Sequence, residues 1–141
     1  MKRLRAEATK EIAIPAEALW ATIEKMTGME NWYPDLISES SIEESGDETL
    51  RFCTMADGGK LEERVLIRDR ATRTFVYAID IHPLPATNIV GTLRVDDLNG
   101  TSKVTWDAQF TVEDAAAEQT VAMINGMYAA GLDSLAAFHN A

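Results

Sequence analysis

The sequence contains a single cysteine, Cys53, in 141 residues, so no intramolecular disulfide can form. That suits a reducing compartment and a fold held together by its core. Its two histidines, His82 and His139, lie far apart, and with one cysteine they give no metal-ligand spacing. No Gly-x-Gly-x-x-Gly or phosphate loop occurs, and no Gly-x-Ser-x-Gly nucleophile elbow. Neither a catalytic metal nor a nucleotide cofactor is expected. Proline is scarce, at four residues, and no Pro/Gly/Ser-rich linker, repeat or low-complexity tract divides the chain. Residues 1–141 therefore read as a single domain. Met1-Lys2-Arg3 is followed by Leu4-Arg5-Ala6-Glu7, which is no signal-peptide core, and no window approaches the roughly 20 apolar residues of a membrane span. The expectation is a cytoplasmic protein without membrane insertion. Positive charge is also in short supply: 13 Lys and Arg face 23 Asp and Glu, a net charge of −10. Such a surface repels phosphate backbones, which argues against nucleic acid as a partner.

What the chain does have is apolar material, 46% of its residues, arranged in two periods. Residues 3–14 alternate, with Leu4, Ala6, Ala8, Ile12 and Ile14 on one parity, which predicts a half-buried strand. Lys10 falls on the apolar parity and points to a bulge or strand end, or to a polar spot in a cavity. Pro15 and Glu17 suit a helix start, and Leu19, Trp20, Ile23 and Met26 continue at helical spacing until Gly28. A second short helix is expected within Met29–Leu36, where Trp32 and Tyr33 need packing partners. Period 2 then returns. Gly46-Asp47, Asp57-Gly58-Gly59 and Asn99-Gly100 signal hairpins and separate strands near 37–44, 48–57, 60–69, 73–82, 87–97 and 101–112. Short turns between consecutive strands imply an antiparallel meander. Asp114 suits the cap of a final helix from about Ala115 to His139, with an apolar stripe of Ile124, Met127, Tyr128, Gly131, Leu135 and Phe138. The expected fold is α+β: a seven-stranded curved antiparallel sheet wrapped around a long C-terminal helix, with two short helices between strands 1 and 2. A sheet twisting around one helix diverges from it at one end and leaves a space there.

Ile14-Pro15-Ala16-Glu17-Ala18-Leu19-Trp20 resembles the first-helix entry of the polyketide cyclase/dehydrase and lipid-transport family, in the START and birch-pollen-allergen-like superfamily. Trp32-Tyr33-Pro34 resembles its short second helix. Asp57-Gly58-Gly59, Glu63-Arg64-Val65, Asp69 and Arg73-Thr74-Phe75-Val76-Tyr77 resemble its central hairpin and next strand. Gly100-Thr101-Ser102-Lys103-Val104-Thr105-Trp106 resembles its last strand. The resemblance implies the helix-grip fold with an internal hydrophobic cavity. The family includes ligand carriers, hormone receptors and a few cyclases, so fold does not supply function.

Parity nominates the residues facing such a cavity. Leu61, Val65 and Ile67 share a face with Glu63, a carboxylate on an otherwise apolar side. The Glu-Arg pair of plant hormone receptors with a similar fold implies that Glu63 lines the pocket; the other reading is a strand-end glutamate reaching water. Phe75, Tyr77, Ile79 and Ile81 face inward on the next strand, Tyr77 either offering its hydroxyl to a ligand or serving as a core tyrosine. Ile89, Gly91, Leu93 and Val95 follow, then Val104, Trp106, Ala108 and Phe110; small Gly91 and Ala108 leave room for a ligand or for the crossing helix. The strand at 48–57 has two registers. A two-residue turn turns Leu50, Phe52, Thr54 and Ala56 inward, whereas a three-residue turn brings in Arg51, Cys53 and Met55. The apolar count favours the first. His82-Pro83-Leu84-Pro85 occupies the position of a pocket-gating loop in the related receptors. His82 suits a general base, or is a solvated loop residue.

The expected ligand-binding residues are thus Trp32, Phe52, Glu63, Val65, Phe75, Tyr77, Ile79, Leu84, Ile89, Gly91, Trp106, Ala108, Ile124, Met127 and Gly131. Candidate catalytic residues are Glu63, Tyr77 and His82. The expected function is binding or carriage of a hydrophobic small molecule such as a lipid, polyketide or aromatic metabolite by a monomer or homodimer. The alternative is a cyclase- or dehydratase-type enzyme acting on a reactive carbonyl substrate.

Overall fold

The computed structural model describes all 141 residues. Seven strands form one antiparallel sheet: β1 (Lys2–Ile12), β2 (Ile37–Ser45), β3 (Glu48–Met55), β4 (Lys60–Asp69), β5 (Thr74–Ile81), β6 (Thr87–Asp97) and β7 (Ser102–Val112). Their order is β1-β7-β6-β5-β4-β3-β2. Six strands run as a meander, and β1 closes beside β7. Because β1 and β2 lie at opposite edges, the chain between them must cross the sheet. It does so as two helices, α1 (Ala16–Glu24) and α2 (Met29–Trp32). The long helix α3 (Ala117–Phe138) packs against β1 and β7 and meets α2. Its buried residues Ala117, Thr120, Ile124, Tyr128, Gly131, Leu132, Leu135 and Ala136 follow helical spacing. The predicted α+β architecture is therefore the observed one, and each strand boundary lies within two residues of its expected place.

Several local expectations fail, each for an identifiable reason. Strand β3 takes the less favoured register. Met55 N–H bonds Gly59 O at 2.7 Å across the loop Ala56-Asp57-Gly58, and Gly58 sits at φ +96°. A three-residue hairpin loop with glycine in the left-handed position is a common solution, and it turns Arg51, Cys53 and Met55 inward. Phe52 consequently lies on the outer face and is not a cavity residue. Two irregularities between β4 and β5 reverse parity beyond them, one between Val65 and Ile67 and one between Ile79 and Ile81. Ile67 and Ile81, expected inside, are consequently exposed. Lys10 marks no bulge, since β1 pairs with β7 without a break; its amine reaches Asp133 of α3 at 3.0 Å.

Asp114 is not a side-chain cap. It opens a single 3₁₀ turn, Asp114–Ala116, and pairs with the Met1 ammonium. Phe138, placed on the apolar stripe, is half exposed beyond the sheet. The segment Asp114–Phe138 is long and apolar enough by composition to cross a membrane. In the fold its apolar stripe is occupied by the sheet.

Candidate ligand cavity

Between α3 and the middle of the sheet lies an apolar cavity of about 40 Å³. The β-strands contribute Arg51 and Met55 from β3, Leu61 and Glu63 from β4, Tyr77 and Ile79 from β5, Ile89 from β6 and Trp106 from β7. Helix α3 contributes Ile124, Met127 and Tyr128; Met29 of α2, Leu36 and Leu84 complete the wall. Leu36, Leu84 and Met127 are only partly buried, so the mouth lies between the α2–β2 link, the β5–β6 loop and α3. Pro83 and Met55 both crowd Gly59, which packs the β3–β4 turn against the β5–β6 loop at that mouth.

Two of the wall residues are charged. Arg51 and Glu63 are direct cross-strand partners, 5% and 3% exposed, and Arg51 Nε donates to Glu63 Oε1 at 2.6 Å. Arg51 Nη1 also donates to the carbonyl of Met26 at 3.2 Å. Met26 ends the turn after α1 at φ +63°, a left-handed conformation that methionine rarely adopts. The guanidinium lies 5.0 Å from the Phe75 ring centroid and 5.4 Å from that of Tyr77, within cation–π range. Burial opposes the Arg51 charge, but the Glu63 carboxylate outweighs it, and the guanidinium pKa is held above its ordinary value. Burial likewise pushes the Cys53 thiol up to about 11, which keeps it protonated and a poor nucleophile.

The second polar group is aromatic. Trp106 Nε1 donates to Tyr77 Oη at 2.9 Å, and the Tyr77 and Tyr128 hydroxyls lie 3.3 Å apart. Trp106 and Tyr128 stack at 4.2 Å with 9° between their planes. Burial, reinforced by Glu63, pushes Tyr77 up to about 12, and burial also raises Tyr128 well above its ordinary value. Both hydroxyls keep their protons across the physiological range and act as hydrogen-bond donors rather than bases.

Of the expected ligand residues, the structure brings Glu63, Tyr77, Ile79, Leu84, Ile89, Trp106, Ile124 and Met127 to the wall. Trp32, Phe75, Gly91, Ala108 and Gly131 are buried behind it, and Val65 is only half-buried. The space at the glycines is filled by rings. A Cβ on Gly91 would come within 2.3 Å of Tyr77 Cζ, and one on Gly131 within 2.5 Å of Trp106 Cζ3. His82 is outside the cavity. Its Nδ1 accepts the Leu84 N–H at 3.0 Å, its ring lines an outer groove with Arg64 and Asp80, and burial lowers its pKa. Of the other wall residues, the sequence placed Leu61 on the inward face beside Glu63 and Tyr128 on the α3 stripe, offered Met29 and Met55 as adaptable lining or ordinary core, left Arg51 open with the register of β3, and gave no sign of Leu36.

A sequence model described as polyketide cyclase / dehydrase and lipid transport matches residues 3–138. The chain belongs to this family. No curated protein sequence matches the chain. Among solved structures, an uncharacterised protein from Bacillus thuringiensis is 28% identical with a TM-score of 0.87, covering 96% of this chain and 98% of its own. ZhuI aromatase/cyclase from a Streptomyces species is 18% identical with a TM-score of 0.78, over 96% and 93% of the two chains. Norcoclaurine synthase from Thalictrum flavum, solved with dopamine and hydroxybenzaldehyde, is 16% identical with a TM-score of 0.75, over 96% and 85%. At those identities the two enzymes share this family member's fold, and their chemistry belongs to them.

Proposed function

We propose that this member of the polyketide cyclase/dehydrase and lipid-transport family binds a small, mostly apolar molecule between α3 and the sheet. One observation carries the reading: the only two buried charged residues, Arg51 and Glu63, stand together in the wall of an apolar cavity. A buried ion pair is a weak source of stability, because well-packed apolar residues in its place are often as good or better. Its presence beside empty space favours recognition as its role. Apolar burial would supply affinity at about 25 cal/mol per Å² before the costs of ordering, and the polar groups would orient what enters.

The cavity's 40 Å³ is far below the roughly 300–1,000 Å³ of pockets for drug-sized ligands. Binding therefore requires the wall to open. Met29, Met55 and Met127, unbranched and adaptable, are the side chains suited to give way. The rival reading is a cyclase- or dehydratase-type enzyme. It needs a proton acceptor inside: the two wall tyrosines are held in their donor forms, and the one wall carboxylate, Glu63, already accepts from Arg51 at 2.6 Å.

Native mass spectrometry of the protein purified from its own host, followed by solvent extraction, tests the proposal. A stoichiometric apolar adduct that is depleted in Tyr77→Phe is the expected result. Protein that emerges empty, and whose melting temperature does not move with saturating small aromatic compounds, would overturn it. Conversion of an added reactive ketone that depends on Glu63 would establish the enzyme instead.

A further inference from the structure

Three hydrogens and only two bonds meet at the Tyr77 side of the cavity. Trp106 Nε1 can only donate, and it donates to Tyr77 Oη. If Tyr128 donates to Tyr77, the Tyr77 oxygen receives two hydrogens and its own has no protein acceptor. If Tyr77 donates to Tyr128, the Tyr128 hydrogen has none. Either way one O–H is left over. Both tyrosines line the cavity and are at most 5% exposed, so bulk water does not absorb the surplus. Buried donors are almost always matched. The cavity is large enough for at least one water, and a ligand that displaces such a water must replace it as an acceptor.

We infer that the ligand is a neutral, mostly apolar molecule whose ketone or aldehyde oxygen accepts this leftover hydrogen. The inference rests on the cavity-binding reading above. A carbonyl brings an acceptor and no hydrogen of its own. An alcohol would add a further donor to a cluster already rich in them. A carboxylate would bring a negative charge into a wall where Arg51 is already matched by Glu63 at 2.6 Å, and where uncompensated charge is costly.

The experiment compares 1-indanone with indane, which share a bicyclic frame and differ by the carbonyl. Affinities are measured by calorimetry on the full chain carrying ζ-¹³C tyrosine, and the hydroxyl protons are followed by NMR. The ketone is expected to bind at least as tightly as the hydrocarbon. A Tyr77 or Tyr128 hydroxyl proton is expected to move downfield with 1-indanone and to stay in place with indane. An unmatched carbonyl in an apolar cavity would instead weaken the ketone by about tenfold or more. That weakening, or a bound ketone that leaves both hydroxyl protons unmoved, overturns the carbonyl assignment while leaving the cavity reading intact. The second outcome would place the ketone on Arg51. Failure of both compounds to bind overturns the carbonyl assignment, and, with a protein that also emerges empty from its own host, overturns the cavity reading as well.

Discussion

Arg51 was ambiguous in sequence because period 2 fixes which residues share a face but not which face is inside. The apolar count favoured Phe52 inward, and it counted the wrong thing. A lone inward carboxylate on β4 needs a partner, and Arg51 is the residue directly across from Glu63. Charge complementarity would have set the register where hydrophobicity did not. Removing one partner leaves a buried charge, so Glu63→Leu or Arg51→Met alone should cost about 3–5 kcal/mol by denaturant unfolding, while the double variant recovers most of it. Tyr128 was also legible, as a member of the α3 stripe, but its role depends on meeting Trp106 and Tyr77 from two strands distant in sequence. Burial raises all three tyrosines, Tyr33 included. Their folded pKa values exceed the ordinary 10, so the stability they confer is complete below pH 10 and is lost as pH rises, through about 12 for Tyr77. Near-ultraviolet titration should show no half-ionised tyrosine at pH 10 in the native protein, with tyrosinate appearing only as it unfolds.

At the scale of elements, boundaries were readable because turn residues mark them, whereas face assignments failed beyond each bulge. The bulges at Val65–Ile67 and Ile79–Ile81 have no glycine to announce them, and alternation extrapolated through them puts Ile67 and Ile81 on the wrong side. Helix α3 carries two glycines with opposite roles. Gly131 admits the rings of Trp106 and Tyr33, and an alanine Cβ would approach them to 2.5 and 2.7 Å. Gly126 faces open space. Gly131→Ala should therefore destabilise the protein by about 1–3 kcal/mol through overpacking. Gly126→Ala should stabilise it by about 0.8–1 kcal/mol through helix propensity alone. Thermal unfolding of the two variants in parallel checks both signs. Helix α1 is held by ion pairs that no local pattern foretells, Glu24 with Arg70 and Glu17 with Arg73, both reaching the β4–β5 turn.

At the scale of the whole molecule, the meander and its closing helix follow from short turns and from the shortage of other apolar partners, which is why the architecture was legible. The volume of the cavity was not, because it is the residue left after non-local rings have packed. The sheet's two edges differ. On the β1 side, Asn125 of α3 accepts the Glu7 N–H at 2.8 Å. On the β2 side the edge is open and carries Glu39, Glu43 and Glu44, charges that discourage strand addition. Replacing those three glutamates with threonine should leave the fold intact and increase self-association, read by sedimentation at rising concentration.

The closed cavity also sets the protein against its own ligand. If the receptive form is a minor population, the observed dissociation constant is the intrinsic one divided by that fraction, and every tenfold is about 1.4 kcal/mol spent on making room. Trimming Met127 at the mouth to alanine should lower the melting temperature and, for a fixed compound such as 1-indanone, tighten binding. The sequence that folds best is then not the one that binds best, and the wild-type chain holds affinity in reserve within its own packing.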